Sequence, residues 1–316
     1  MTGDQLSGRN ILITGGTAGV GLEAARAALA RGATVILGTR DAEHYRAVAQ
    51  ELDSDRVHPF IADLLDEGAV GAALNNLKVD GLTPTDLIHS AAGGLEGLLQ
   101  DMIRIALGLR RLTGGEFDEA HAQGVRELQK LAADSLERCM TVNLEAPARL
   151  FDRVAGELGD GGSLVFYTHF WGSLFPHPQV PAYYGSIAES KHEFAEWLAG
   201  RATEWAEAGI NTYVVSTSVI SDTRMGHLLD RYCATLMPAA DREAWKRTFV
   251  TCAQVAELTV QQCFGRPPSP GFRQIFLLEP GQVTDRLGPD DPPVRFPVAL
   301  AANSRRRADE GIASAR

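Results

Sequence analysis

The run Thr14-Gly15-Gly16-Thr17-Ala18-Gly19-Val20-Gly21 limits what this chain can fold into more than any other feature, because of what flanks it. An apolar, strand-like segment from Asn10 to Ile13 leads into it, and a stretch of helical periodicity leaves it. Glycines at a strand-to-helix turn let the backbone reverse tightly and approach a pyrophosphate, whose charge rests on free N–H groups and the positive end of the helix. Gly15, Thr17, Gly19, Val20 and Gly21 are therefore candidate contacts to a dinucleotide. A βα turn that binds nothing is the competing reading, but the order strand, glycines, helix is the one that phosphate binding needs.

Downstream, short β-branched or apolar runs at 10–14, 33–39, 57–62, 86–91, 163–168, 211–217 and 273–278 alternate with helical patterns near 19–31, 42–53, 66–77, 134–158, 186–208 and 252–264. That rhythm predicts an α/β fold, a doubly wound Rossmann-type parallel sheet of about seven strands with helices on both faces. One domain over 1–288 accommodates it. Two segments exceed the plain repeat. A helical insert covers 95–137, and a segment over 222–250 carries Met225, Leu228, Leu229, Tyr232, Leu236, Met237 and Trp245, an apolar set suited to a lid or to a packed surface helix. Residues 289–316 have the composition of a poorly ordered tail.

A formal charge of −10 argues against nucleic acid as partner, since phosphate contacts need a positive face. Cys139, Cys233, Cys252 and Cys263 show no metal-ligand spacing, so free thiols of a reducing compartment, and no metal, are expected. No apolar run reaches the roughly 18 residues of a membrane span, and nothing near Met1 resembles a signal peptide, which points to the cytoplasm. Arginine (26) far outnumbers lysine (4), so each lysine merits inspection.

The residues carry a family resemblance. TGGTAGVG at 14–21, Ala62-Asp63-Leu64, Ser90-Ala91-Ala92-Gly93, Val142-Asn143-Leu144 and Ser190-Lys191 together resemble a short-chain dehydrogenase/reductase over roughly residues 8–280. The resemblance implies that Asp63, with Leu64, meets the adenine, that Ser90, Ala91, Ala92 and Gly93 pack on the adenosine ribose, that Asn143 holds a catalytic water, and that Lys191 touches the nicotinamide ribose. Ala91 stands where the family has asparagine, and Thr217-Ser218-Val219-Ile220 replaces a Pro-Gly turn, leaving the nicotinamide amide to the Ile220 backbone and Thr223. At the end of the second strand Thr39 occupies the position of a ribose-binding acid and Arg40 follows it; a guanidinium binds a 2′-phosphate bidentately, so NADP(H) is the expected cofactor.

The reacting end departs from the family pattern. The resemblance places a proton-donating tyrosine four residues before Lys191 and a serine at 169; the chain has Ile187 and His169. Three accounts of the missing acid stay open. Tyr184, seven residues before Lys191 and two turns away on one helix face, resembles the Tyr-x6-Lys arrangement of enoyl-acyl-carrier-protein reductases. His169 has an ordinary pKa suited to donation at neutral pH. The third needs no protein acid: a hydroxyl beside the substrate's ketone supplies the proton. This last pattern resembles the angucyclinone ketoreductases of antibiotic biosynthesis, of the simocyclinone type, and implies a bulky aromatic polyketide ketone as substrate, with Phe170, Trp171, Phe175, Tyr183 and Tyr184 either stacking on it or forming core. A catalytically silent NADP-binding sensor is the non-enzymatic alternative, and the family resemblance implies a homodimer or homotetramer through 134–158 and 186–208.

Overall fold

The computed structural model describes residues 5–91, 97, 100–101, 130, 133–177, 180, 184–236, 239–264 and 270–288, with the side chains of 232–236 and 241 left aside. Strands β1 (Asn10–Thr14), β2 (Thr34–Thr39), β3 (Val57–Ile61), β4 (Asp86–His89), β5 (Ser163–His169), β6 (Asn211–Thr217), β7 (Phe272–Glu279) and β8 (Gln282–Thr284) form one sheet in the order β3-β2-β1-β4-β5-β6-β7-β8. All neighbours are parallel except β7 and β8. The strand order reverses between β1 and β4, and a crevice opens outside the carboxyl ends of strands at such a switch point.

Successive side chains of a strand point to opposite faces, and here both directions are apolar. On β1, Ile11 and Ile13 join one core with Ala24, Ala25 and Ala28 of α1 (Gly19–Leu29), Val48 of α2 (Ala42–Leu52) and Val255 of the helix at Cys252–Thr259. Leu12 joins a second core with Val70 of α3 (Glu67–Val79), and with Phe151 and Phe194 from helices further along the chain. Both faces are therefore covered, as the near-continuous apolar runs require.

Between β4 and β5 the expected helix over 134–158 is three pieces: α4 (Leu136–Met140), a π-helical turn (Thr141–Glu145) and α5 (Ala146–Ala155). After β5 comes a five-residue helix, α6 (Phe170–Leu174), then α7 (Gly185–Glu207). The 222–250 segment holds α8 (Arg224–Leu236) and α9 (Ala239–Lys246), pinned to each other where Arg242 donates to both carboxylate oxygens of Asp230 at 3.0 and 2.9 Å. The helix at Cys252–Thr259 is α10; Thr251 and Gln254 cap it reciprocally. Strand β8 and helix α6 are additions to the expected pattern. Most of the 95–137 insert and all of 289–316 lie outside the described residues, as do the side chains of Tyr232, Cys233, Leu236 and Met237. Cys139, Cys252 and Cys263 are buried free thiols. Among the described residues no helix is long and apolar enough to cross a membrane.

Candidate active site

The amino terminus of α1 differs from its neighbours in what caps it. Asp41 accepts the Glu43 and His44 N–H groups at the start of α2, and Asp66 accepts the Ala69 N–H at the start of α3. At α1 the N-cap is Ala18, which has no acceptor to offer, and the first turn has no acid. Its free N–H groups and positive dipole end are left for an anion. Gly19 has φ +53°, and a Cβ there would touch only Thr223 Cγ2 at 3.7 Å, so the space before it is open. Gly15 and Gly21 serve packing instead: a Cβ on Gly15 would lie 2.9 Å from Ala91, and one on Gly21 only 2.3 Å from the Gly15 carbonyl.

A cavity of about 640 Å³ lies at the carboxyl ends of β1 to β4. Gly15, Thr39, Arg40, Asp63, Leu64 and Ala91 all line it, together with Thr141 and Val142 of the π turn. Val20 is buried beneath the turn, Thr17 Oγ1 sits 3.5 Å from His44 Nδ1, and the Ser90 N–H donates to the Thr14 carbonyl at 3.1 Å. Ala92 and Gly93 lie outside the described residues. An uncapped helix end, an open glycine and a cavity of this size at the switch point fit a nicotinamide dinucleotide.

Across the crevice, α7 brings three residues to the end of β5. Lys191 Nζ donates to the Tyr167 carbonyl at 3.5 Å and stands 5.5 Å from the Phe166 ring centre. Asn143, in the π turn, donates to Ser190 Oγ at 3.0 Å, and Ser190 donates to the Ile187 carbonyl at 3.1 Å. The short chain dehydrogenase family matches residues 9–232, spanning the cradle, Asn143 and Lys191. The chain belongs to the short-chain dehydrogenase/reductase family. It is therefore an oxidoreductase that interconverts a CH–OH group and a ketone with an NAD(P)(H) cofactor.

Among its relatives, a galactitol 2-dehydrogenase (L-tagatose-forming) of Cereibacter sphaeroides is 25% identical over 69% of this chain and 73% of its own. A dehydrogenase/reductase of Sinorhizobium meliloti superposes with a TM-score of 0.59 at 22% identity, covering 88% of this chain and 97% of the other. A 3-oxoacyl-[acyl-carrier protein] reductase of Brucella melitensis, solved with bound NAD, gives 0.59 at 16% identity over 88% and 94%.

In this short-chain dehydrogenase/reductase the two candidate proton donors of the reacting end, Tyr184 and His169, are both packed beside Trp171. Tyr184 is the N-cap of α7, with its ring edge-on to Trp171 at 5.0 Å. Burial raises its phenol pKa, and the Cys139 thiol pushes the same way, while the Lys191 ammonium acts on His89 and His169 instead. His169 is not an imidazolium at neutral pH: burial first, and then Lys191, push its pKa down to about 3. Lys191 itself is lowered to about 8 by burial. Ile187 is buried and offers only its carbonyl. Thr223 donates its hydroxyl to the Ile220 carbonyl at 2.8 Å and accepts the Gly226 N–H at 2.9 Å, which fixes the loop after β6 against Gly19.

One residue of the cavity escaped the sequence reading, and another lies beside the glycine turn. His44 Nδ1 is 3.5 Å from Thr17 Oγ1. His89, at the end of β4, pairs with Thr14 Oγ1 at 2.8 Å, lines the cavity, and is held neutral by burial with a pKa of about 3. An imidazole closing the short strand Asp86–His89 at its carboxyl end was the available signal for His89; His44 looks like any surface helix residue.

Proposed function

We propose that this enzyme is an NADPH-dependent ketoreductase that reduces a ketone on a bulky, angucyclinone-like aromatic polyketide in antibiotic biosynthesis, with the substrate's own hydroxyl supplying the proton. The observation that carries this reading is the set of groups around Lys191: the buried Ile187 where the family has its acid, and an ammonium that donates to the Tyr167 carbonyl. Ile187 has no proton to give, the Tyr184 phenol is held above its usual range, and His169 is neutral. Among the described residues no carboxylate pairs with Lys191, and a buried cation without a counter-ion fits an anionic oxygen.

A hydroxyl placed beside the ketone provides that oxygen. The dinucleotide, when bound, supplies the hydride. The carbonyl carbon gains it, the C=O π pair moves to oxygen, and that oxygen takes the neighbouring hydroxyl's proton, leaving a phenolate that the Lys191 ammonium stabilises and solvent later reprotonates. Arg40 supports the 2′-phosphate preference. The neighbouring Asp41 turns its carboxylate onto the α2 N–H groups, which keep it ionised but direct it to the helix end, and Arg40 is the cation that lines the cavity there. The apolar pair α8 and α9, with Leu229 and Trp245 buried, serves as the cover for a large ring system. A dimer or tetramer through the 134–158 and 186–208 helices is part of the same proposal.

The test uses a peri-hydroxylated tetralone and its methyl ether with NADPH. The free hydroxyl compound is reduced and the ether is not; equal rates for the two exclude substrate-assisted protonation.

A further inference from the structure

The cavity wall between β1 and β4 holds an imidazole that the chemistry at Lys191 does not use. His89, the last residue of β4, is only 3% exposed and lines the cavity. Its Nδ1 lies 2.8 Å from Thr14 Oγ1. Three phenylalanines hold the ring in place: it stacks on Phe166 at 6.1 Å and stands edge-on to Phe151 and Phe194 at 6.0 and 6.1 Å. The Thr14 hydroxyl has no other hydrogen-bond partner among the described residues, so its hydrogen goes to Nδ1 and the imidazole carries its own on Nε2. Burial first, and then Lys191, keep the ring from taking a second hydrogen. The Nε2–H has no acceptor among the described residues, yet unlike the same atom of His169 it is not sealed in the interior. A donor that reaches a cavity and finds no protein acceptor is completed by what fills the cavity.

The lining decides which half of a dinucleotide that is. Thr39, Arg40, Asp63 and Leu64 line the cavity and Lys191 does not, so the end remote from the lysine, the adenosine, belongs here. On the buried part of the wall Phe60, Ala62 and Ala146 are apolar and Thr14 has spent its hydroxyl on Nδ1, which leaves Nε2 of His89 as the side-chain donor on offer. We propose that His89 is a further cofactor-binding residue, whose Nε2–H, aimed by the Thr14 hydroxyl, donates to an acceptor atom on the adenosine of the NAD(P)(H) cofactor. The inference rests on the family's dinucleotide alone and holds for whichever ketone the enzyme reduces. The bond only binds: its hydrogen stays on Nε2 and takes no part in hydride transfer. Because the aromatic cluster already clamps the ring, the contact forms without freezing a rotamer.

His89→Asn keeps an acceptor for the Thr14 hydroxyl and removes the distal N–H; being smaller than histidine, it cannot block the cavity. His89→Gln carries an amide N–H out to near the Nε2 position. Calorimetry with NADPH and NADH picks the tighter cofactor, and that choice sets the probe for the adenosine half alone: adenosine 2′,5′-bisphosphate for NADPH, ADP for NADH. His89→Asn weakens the dinucleotide and its probe by the same factor, about 5- to 10-fold, the worth of one neutral hydrogen bond, and His89→Gln recovers to within about threefold of wild type. A lower melting temperature with unchanged affinities assigns His89 to the fold and overturns the proposal. So does a loss seen with the dinucleotide but not with its probe, which puts the contact on the nicotinamide half, and so does a failure of either dinucleotide to bind wild-type protein. Nitrogen-detected NMR gives a reading on the wild-type protein itself: at about pH 7 the ring is neutral with its hydrogen on Nε2, and that resonance moves on adding the probe but not on adding nicotinamide mononucleotide. A hydrogen on Nδ1, or an Nε2 resonance that ignores the probe, overturns the assignment.

Discussion

At the carboxyl ends of β1 to β4 the groups that matter belong to the backbone: the bare amino end of α1, the open Gly19, and the close approach of Gly15 to Ala91. At the ends of β5 and β6 they are side chains, Lys191, Asn143, Ser190 and His169, each held by a neighbour that decides its state. The first region works by excluding side chains, so few residue types will do. The second works by environment: burial turns a histidine into a neutral ring and takes a lysine down to a pKa of about 8. A backbone-built site constrains its sequence tightly, whereas a side-chain-built site can be rewritten residue by residue on the same scaffold.

Three substitutions probe this contrast, in falling order of effect. Lys191→Met removes the counter-charge and lowers kcat on the order of 10²- to 10³-fold, while Lys191→Arg retains much more activity. The sign of the pH dependence follows from the lowered pKa. The ammonium is present below about pH 8 and lost above it, so wild-type kcat/KM is flat near neutrality and declines as pH rises past about 8; Lys191→Arg, whose guanidinium stays charged, flattens that decline. Turnover by Lys191→Met within about threefold of wild type would break the assignment of chemistry to this half of the sheet. Arg40→Ala weakens NADPH binding by about 10- to 100-fold, the value of a charge-assisted contact, and leaves NADH within about threefold. Calorimetry that finds equal losses for both cofactors would remove the 2′-phosphate from Arg40. Gly19→Ala is the mildest. At φ +53° the methyl group costs about 1 kcal/mol of stability, a few degrees of melting temperature, and lowers affinity for both dinucleotides about tenfold. Loss of stability without loss of affinity would mean that Gly19 serves the fold alone.

The sheet, its order of elements and the cradle were readable from the chain because each rests on a local rule. The alternating apolar runs marked seven strands and the flanked glycines marked the turn. Strand β8 has three residues and helix α6 five, too short for any period to show. The break at 141–145 was likewise invisible, since its residues suit an ordinary helix and only packing widens the turn. At the reacting end, Ile187 and His169 could be named but their states could not. Whether an imidazole is charged depends on burial and on Lys191, twenty-two residues away in sequence and adjacent only after α6 and α7 pack. Tyr184 illustrates the same limit: its spacing from Lys191 was readable, but not its burial beside Trp171 and the Cys139 thiol, which raise its pKa.

The π turn acts as a phase slip. Five residues per turn-closing bond instead of four insert one extra position, so everything downstream is rotated by about 100° relative to everything upstream. That offset lets Leu150, Phe151 and Val154 aim into the core while Thr141 and Val142 aim into the cavity. Asn143 sits at the dislocation itself. Deleting one residue there would re-phase the rod, and a single angular register would then have to satisfy two partners that lie in different directions.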